Sequence, residues 1–335
     1  MKDRTARPKI SIVIAVHDHG SSIDRLFDSL LEQTLASSDY EIVIADSCHT
    51  RDFQRWLDRA WARKDPRLEL RYQRVTKGGR AIAINGAINL ARAPIVLLFA
   101  FDAIATPQMA EMHLRFHHEN PERHRVGIGS LLVPPAYRTH FVDWLERSGE
   151  LFGAPFAADT PSVPENFFYI AHCSIKREFI VDAGLFDENF PGHAWDDFEL
   201  GCRLSALGMK SSYVGATAEH DHDITMRERC ASMVEAGEAA AVFDRKYGGQ
   251  WPWHGKCHVP LARLRIRALR SFLRYALSRR ERHLISYYRA RLDAAFVAGY
   301  RRGQGPVRRG AAAQSLPACA PSPSSATTPA VLHKD

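Results

Sequence analysis

Residues 77–107 read KGGRAIAINGAINLARAPIVLLFAFDAIATP, in which a helical segment at 79–91 leads into a fully apolar strand at 94–102. A helix followed directly by a buried strand is the repeating unit of parallel α/β sheets. Three earlier strands, separated by segments of helical period, precede it along the chain: 10–16, 40–46 and the alternating run at 68–72. The βαβαβαβ order predicts an α/β fold, with a mostly parallel sheet covered by helices on both faces.

The composition is that of a globular protein: 335 residues, of which 45% are hydrophobic, 25% charged and 10% aromatic. It excludes collagen, a coiled coil and wholesale disorder, and the length suits one large α/β domain or two smaller ones. The six cysteines include no C-x-x-C pair, which excludes a zinc ribbon and predicts a reduced, cytoplasmic chain. No apolar stretch reaches the roughly 18 residues that a membrane-spanning helix needs, so no such helix is expected.

Positive charge is concentrated near the C-terminus. The net charge is +7, yet residues 261–302 alone contain twelve arginines and only two acids. Apolar residues recur at helical spacing in 261–277, and 284–296 resembles a second such helix, so this region predicts basic amphipathic helices with a local anionic partner. The apolar stripe can pack onto the rest of the protein or contact the cytoplasmic face of a membrane. Residues 304–335, rich in Ala, Pro and Ser, predict a disordered tail.

Polar residues follow three of the predicted strands at the point where each strand ends. They are His17, Asp46 and Asp102. Open α/β sheets bind ligands outside the carboxyl ends of their strands, so these residues can converge on one crevice although they are far apart in sequence. The alternative is that the strands simply end at polar turn residues.

Four segments, in this order, give the chain its likeness to a known family: SIVIAVHDHG, EIVIADS, KGGRAIAINGAINLARAPIVLLFAFDAIATP and GLFDENFPGHAWDDFELGCRL. Over roughly residues 8–222 the chain resembles the family-2 nucleotide-sugar glycosyltransferases of the GT-A fold. The resemblance implies a Rossmann-like nucleotide-binding half at 1–102 and an acceptor and catalytic half at 103–222, within a domain that spans 1–222. The helical basic segment at 223–303 is then a C-terminal extension.

The resemblance assigns catalysis to an acidic pair at the start of a predicted helix, 196–208. Asp197 matches the family's general base, which takes the proton of the acceptor hydroxyl, and Asp196 stands directly before it. Local roles are the alternatives: Asp196 as the helix N-cap with Glu199 as its capping-box partner, and Asp197 as a solvated first-turn acid. For Asp196, capping or a hydrogen bond to the acceptor is favoured over proton transfer.

The resemblance also implies a divalent cation, Mn²⁺ or Mg²⁺, at the donor diphosphate. The family ends its fourth strand in an Asp-x-Asp motif whose last aspartate binds the metal, but the triplet here is Ala100-Phe101-Asp102. One carboxylate plus the phosphates still suffices for such an ion. His220, with His222 as a second candidate, matches a family histidine that ligates the metal or touches the diphosphate. A turn residue at 102 and chance clustering of histidines are the alternatives.

Four further residues are predicted to contact the donor nucleotide. Asp46 matches the family's uracil- or ribose-contacting aspartate, and Asn85 matches an asparagine that the family often keeps in this helix. Lys77 and Arg80 supply cations at a helix start, where backbone N–H groups favour an anion. A turn residue at 46 and a solvated helix surface at 85 are the alternatives.

These residues predict an inverting hexosyltransferase that moves a sugar from a nucleotide-sugar donor to a hydroxyl of a glycan or lipid-linked glycan in polysaccharide biosynthesis. UDP is inferred from Asp46 and from the family. Acceptor choice is expected in the loops of 103–195, which contain Asn166, Tyr169, His172 and Ser174. The rival function is a catalytically inactive glycan- or nucleotide-binding protein, which Ala100 favours. No nucleic-acid partner is expected, because the basic helices match no known module.

Overall fold

The computed structural model describes residues 7–16, 22–48, 52–61, 68–76, 79–151, 167–190, 192, 194–248, 251 and 254–305. The strands are β1 (Ile10–Val16), β2 (Tyr40–Asp46), β3 (Glu69–Arg74), β4 (Ile95–Phe99), β5 (Ala103–Ala105), β6 (Arg125–Leu132), β7 (His172–Lys176) and β8 (Lys210–His220). The helices are α1 (Ser22–Leu31), α2 (Asp52–Trp61), α3 (Arg80–Leu90), α4 (Met109–Glu119), α5 (His140–Arg147), α6 (Arg177–Asp182), α7 (Asp196–Ala206), α8 (Met226–Tyr247), α9 (His254–Cys257), α10 (Leu261–Ser278) and α11 (Glu281–Gly303). A 3₁₀ turn lies at Pro135–Tyr137.

The described strands form one eight-stranded sheet in the order β3-β2-β1-β4-β7-β6-β8-β5. Strands β1 to β4 pair in parallel, as do β6 and β8. Strand β7 runs antiparallel to β4 and β6, and β5 runs antiparallel to β8. Helices α1, α3 and α4 pack against these strands. The predicted α/β fold, with a mostly parallel sheet flanked by helices, is confirmed.

The fourth strand is shorter than its sequence predicts. The apolar pattern predicts one strand over 94–102, whereas β4 ends at Phe99 and β5 begins at Ala103. The Ala100 N–H donates to the Ala171 carbonyl at 2.9 Å, and β5 then pairs antiparallel with β8, with Ala103 opposite His220. Asp102 therefore lies in the turn between two strands that have different partners.

The chain divides into two compact units. Unit 1 consists of residues 1–136, 156–188 and 197–222, and unit 2 consists of residues 137–155, 189–196 and 223–335. The whole sheet belongs to unit 1. One division coincides with the boundary predicted at 222, but the segments 137–155 and 189–196, predicted within the acceptor half, group with the C-terminal helices. The assignment of a nucleotide-binding half and an acceptor half stays a prediction, and 306–335, most of the predicted tail, lies outside the described residues.

A fully buried carboxylate lies inside unit 1. Glu41 is the second residue of β2 and has no exposed surface. It accepts hydrogen bonds from the Ser11 hydroxyl at 2.6 Å, the Arg71 guanidinium at 2.9 Å and the Arg92 backbone N–H at 2.6 Å. Since a buried charge is costly unless it is paired and hydrogen-bonded, these three donors explain why an acid is tolerated in an apolar strand.

Three histidines form a buried cluster beside Ser174 in unit 1. His113 Nδ1 lies 2.8 Å and His117 Nε2 lies 2.9 Å from the Ser174 hydroxyl, while His172 Nδ1 lies 3.0 Å from the Ser130 carbonyl. Burial lowers the pKa of His117 and of His172 to about 4, and burial together with the neighbouring histidines lowers the pKa of His113. All three rings are therefore neutral at physiological pH.

Acid is expected to destabilise unit 1 through this cluster. Between an unfolded pKa of 6.5 and a folded pKa of about 4, His117 binds a proton only in the unfolded state. Its stabilising contribution is complete above pH 6.5 and is lost as the pH falls, at about 1.4 kcal/mol per pH unit. Urea unfolding between about pH 5 and pH 6.5 measures the slope of the unfolding free energy.

A matched pair of variants isolates this effect. His117→Gln removes the buried titrating ring and should lower the slope by the share of one histidine. His118→Gln removes an exposed ring on the same helix and should leave the slope unchanged. Equal slopes in the two variants would contradict the prediction.

Unit 2 is built on a close contact between two long helices, α8 and α11. A Cβ atom at Gly237 would lie 2.0 Å from the Phe296 carbonyl oxygen, and one at Gly299 would lie 1.9 Å from the Val234 carbonyl oxygen. Only glycine permits backbones to approach so closely. The helix predicted at 284–296 is thus the central part of a longer element, α11, which also packs against α10.

Candidate active site

One edge of the sheet in unit 1 collects polar residues from distant parts of the chain. Strands β1 to β4 end at this edge, and β8 ends there as well because it runs parallel to β6, whose neighbour β7 is antiparallel to β4. Asp46 is the last residue of β2, Asp102 follows β4, and His220 is the last residue of β8. Asp46 and Asp102 therefore lie at the same edge of the sheet, and their convergence on one crevice stays a prediction; His17 lies outside the described residues.

Asp46 is buried and held by two hydrogen bonds. Its Oδ1 accepts the Cys48 backbone N–H at 2.8 Å, and its Oδ2 accepts the Tyr72 hydroxyl at 2.6 Å. Burial raises the pKa of Tyr72, and the hydrogen bond to Asp46 and the charge of Asp46 raise it further. Tyr72 therefore stays a hydrogen-bond donor at any physiological pH. This partner could not be predicted from the sequence, because Tyr72 is one of several alternating residues of β3.

Tyr72→Phe is expected to weaken nucleotide binding about 10-fold. The substitution removes a hydrogen bond to a charged group, which is worth roughly 1.5–3 kcal/mol, and frees Asp46 to turn away from the nucleoside that it is predicted to contact. Calorimetric titration with UDP measures the affinity. Tyr40→Phe is the matched control, since its hydroxyl donates to the Leu30 carbonyl at the opposite end of β2. An equal loss in both variants would mean that Tyr72 acts only on stability.

Asp102 and His220 face each other across the β5–β8 pairing. His220 Nε2 lies 3.3 Å from Asp102 Oδ2, and the side chains are 12% and 24% exposed, respectively. Burial by itself would raise the pKa of the Asp102 carboxyl, but the hydrogen bond and charge of His220, together with the nearby His222, lower it below its usual value. The structure thus brings together the two residues predicted to ligate a metal ion, with the carboxylate ionised.

Asp196 and Asp197 open helix α7 in different surroundings. Asp196 is buried, whereas Asp197 is partly exposed and its Oδ1 accepts the Phe198 N–H at 2.8 Å. Burial and, after it, the charge of Asp197 raise the pKa of the Cys173 thiol. Since Cys173 lies at the start of β7, the Asp197 carboxylate lies near the same edge of the sheet. Trp195, directly before the pair, has a φ of 66°, a conformation that costs energy for a bulky side chain.

A buried ion pair holds the first turns of α7. The helix begins at Asp196, which was predicted to be its N-cap, and Glu199, the predicted capping-box partner, pairs with Arg203 at 2.6–3.1 Å. Arg203 also donates to the carbonyls of Ala183 and Leu185. The charge of the fully buried Glu199 is thereby compensated, and the helix is fixed to the segment at 183–185.

Asn85 lies in the interior of unit 1. Its amide donates to the Phe186 carbonyl at 2.9 Å and to the Glu188 carboxylate at 3.0 Å, and its oxygen accepts the Phe186 N–H at 2.9 Å. The alternative of a solvated helix surface is wrong, since Asn85 is only 6% exposed. A direct contact with the nucleotide stays a prediction.

The N-terminus of α3 lies at the edge of the sheet that carries the acids, because α3 follows β3. Arg80 is its first residue and is partly exposed; Lys77 lies outside the described residues. The first turn contains no acid, and Gly79 offers no side-chain cap. Backbone N–H groups and a cationic residue, Arg80, thus lie at this edge, an arrangement that suits a phosphate group.

Similarity to known sequences decides the family. Residues 11–175 match the family model described as glycosyl transferase family 2. Over these residues the chain belongs to that family. Asp46, Asn85 and Asp102 of this family-2 chain lie inside the matched range, whereas the acidic pair at 196–197 and His220 follow it.

Two relatives of this family-2 chain carry glycosyltransferase names. It is 28% identical over 253 residues to validoxylamine A glucosyltransferase of Streptomyces hygroscopicus subsp. jinggangensis (strain 5008), covering 68% of this chain and 59% of that protein. It is 22% identical over 247 residues to the uncharacterized glycosyltransferase YfnE of Bacillus subtilis (strain 168), covering 60% of this chain and 61% of that protein. The chain therefore spans about three fifths of the length of these relatives.

Solved structures of two further proteins share the fold. Mannosyltransferase PcManGT from Pyrobaculum calidifontis, in complex with GDP-Man and Mn²⁺, gives a TM-score of 0.59 at 17% identity and covers 89% of this chain and 88% of that chain. TarS 1–349 of S. aureus, in complex with UDP, gives a TM-score of 0.51 at 14% identity and covers 90% and 93%. The family-2 chain has the GT-A fold, as its sequence predicts.

Two residues of the family-2 chain that were expected in acceptor loops lie in a strand instead. His172 and Ser174 lie in β7 and are fully buried, within the histidine cluster. The prediction of a loop is wrong for them, because this strand is buried: the His172 ring hydrogen-bonds to the Ser130 carbonyl, and the Ser174 hydroxyl hydrogen-bonds to His113 and His117 of α4. Tyr169 is partly exposed before β7, and Asn166 lies outside the described residues.

Proposed function

We propose that this chain is an inverting hexosyltransferase that transfers a sugar from a UDP-sugar to a hydroxyl of a glycan or lipid-linked glycan in polysaccharide biosynthesis. One observation supports this above all others: Asp46, the Asp102–His220 pair and the charge of Asp197 occupy one edge of the sheet. Membership of glycosyl transferase family 2 and a relative named as a glucosyltransferase support sugar transfer.

Asp197 is the proposed general base. Its partly exposed carboxylate takes the proton of the acceptor hydroxyl while the hydroxyl oxygen bonds to the anomeric carbon of the donor sugar. The bond from that carbon to the diphosphate oxygen breaks in the same step, and the nucleoside diphosphate leaves with the electron pair. Because attack and departure occur on opposite faces of the carbon, the configuration inverts and the protein needs no nucleophile.

Asp102 and His220 fit a divalent cation of the Mn²⁺ or Mg²⁺ type. An ionised carboxylate oxygen beside an imidazole nitrogen is a suitable donor set. Within the described residues, no group of three His, Cys, Asp or Glu side chains is arranged to hold a metal ion. Phosphates of the donor would therefore have to supply further ligands. When bound, such an ion offsets the charge on the departing diphosphate, to which Arg80 and Lys77 are proposed to add.

Asp46, supported by Tyr72, is the proposed contact to the nucleoside. Among solved structures of this fold, one holds GDP-Man and another holds UDP, so the fold alone does not select the base. The assignment of UDP rests on Asp46 and on the family resemblance.

A screen of nucleotide sugars, with and without Mn²⁺, tests the proposal through release of the nucleoside diphosphate. Mn²⁺-dependent release from a UDP-sugar is expected. Turnover with other nucleotides only would overturn the assignment of UDP. Nucleotide binding without turnover or donor hydrolysis would favour the second candidate, a catalytically inactive glycan- or nucleotide-binding protein, which Ala100 in place of the first motif acid supports.

A further inference from the structure

Helix α10 buries only a narrow stripe of its surface. Its buried residues are Leu264, Ala268 and Ser271, and the Ser271 hydroxyl lies 3.0 Å from that of Ser286 on α11. These positions repeat every three to four residues and therefore form one line along the helix. The stripe accounts for the attachment of α10 to unit 2, and the rest of the helix surface faces outward.

The outward face of α10 is apolar. Five large side chains are roughly half to fully exposed: Ile266 (49%), Leu269 (59%), Phe272 (47%), Leu273 (51%) and Leu277 (89%). At 3.6 residues per turn they fall within one arc of about 140°, which also contains the exposed Arg265 near its margin. Among large hydrophobic residues of the described chain, only Leu132 and Leu207 share such exposure elsewhere, and they are isolated. A cluster of exposed large apolar side chains on one helix face marks an interaction site.

Arginines border the apolar arc. Arg263, Arg267, Arg270 and Arg274 project from the side of the helix next to it, and all four are exposed. Arg267 pairs with Asp293 at 3.0 Å, one of only two acids in residues 261–302. An outward apolar face flanked by arginines is the arrangement of helices that lie in the interface of an anionic membrane.

We propose that α10 docks this face onto a bilayer that contains anionic phospholipids. The apolar side chains enter the boundary between headgroups and acyl chains, and the arginines contact lipid phosphates. A second copy of the chain fits less well, because it would bring a second row of arginines against the first. No helix of the described residues is long and apolar enough to cross a membrane. The inference is independent of glycosyl transfer, so it can fail or hold without affecting the proposed function.

Vesicle flotation of the full chain tests the proposal. The wild type is expected to float with phosphatidylcholine vesicles that contain phosphatidylglycerol, at about 50 mM salt, and to dissociate at about 500 mM salt. Each basic residue near an anionic surface contributes about 5-fold in binding, so changing Arg263, Arg270 and Arg274 to Gln should lower the partition coefficient about 100-fold. Changing Leu269, Phe272 and Leu273 to Ser should abolish flotation.

Two matched controls remove the same chemistry elsewhere. Leu207→Ser deletes an isolated exposed leucine just after α7, and Arg115→Gln deletes an exposed arginine of α4. Both should float like the wild type. Absence of flotation at low salt, equal flotation with neutral vesicles, or wild-type flotation of the triple arginine variant would overturn the proposal. A dimer in solution that the triple Ser variant loses, without vesicle binding, would identify a second copy as the occupant instead.

Discussion

Transfer by the Asp197→Asn variant is expected to fall about 10²- to 10⁴-fold, which is the usual loss when a general base is removed. The amide nearly matches the carboxylate in shape but cannot take the proton of the acceptor hydroxyl. Asp197 is partly exposed at the start of α7, so the substitution should leave the fold intact. Affinity for UDP, measured by calorimetry, should change little, because the proposed base acts on the acceptor.

Asp182→Asn is the matched control for this experiment. Asp182 is an exposed acid at the end of α6 that pairs with Arg123, and its amide variant should keep full turnover. Both variants are compared with the donor and acceptor that the screen selects. Wild-type turnover of Asp197→Asn with that acceptor would show that another group is the base.

The Asp102→Ala variant is expected to lose Mn²⁺-dependent UDP binding and turnover together, with turnover lower by on the order of 10²- to 10³-fold. Asp102 is the ionised carboxylate that faces His220 at 3.3 Å, so its removal leaves the proposed cation a single protein ligand. Charge on the departing diphosphate is then poorly offset. Titration of UDP with Mn²⁺, and again with a chelator, measures both the affinity and its metal dependence.

Two further variants separate the metal site from general effects of charge. His220→Gln should give an intermediate loss, because it removes the other proposed ligand. Asp39→Ala, at a partly exposed acid that pairs with Lys9 near the start of β2, should behave like the wild type. If Asp102→Ala keeps both its UDP affinity and its metal dependence, the cation binds elsewhere or cationic side chains neutralise the diphosphate alone.

The fold could be predicted from the sequence wherever apolar runs alternate with segments of helical period. Strands β1 and β2 are short apolar runs between helical segments, and burial of such runs on both sheet faces is what a parallel sheet demands. The end of β4 could not be predicted in this way. The residues at 100–102 remain apolar up to the aspartate, and the chain turns there because β8, far away in sequence, offers β5 a partner.

The candidate site was predictable to the extent that its residues stand at strand ends or in family motifs. Asp46 and Asp102 satisfy the first condition, and His220 the second. Their partners were not predictable: Tyr72 reaches Asp46 only through the register of β2 against β3. Arg203 likewise reaches Ala183 only through the packing of α7.

The sequence by itself determined that the chain forms an α/β sheet and that 261–277 is a basic amphipathic helix, because periodic burial is written in the spacing of apolar residues. It did not determine which apolar residues of that helix are buried. Leu264 and Leu269 are both leucines of this helix, yet α11 covers the first and leaves the second 59% exposed. Only tertiary structure decides this, because one neighbouring helix can cover only part of a wide apolar face.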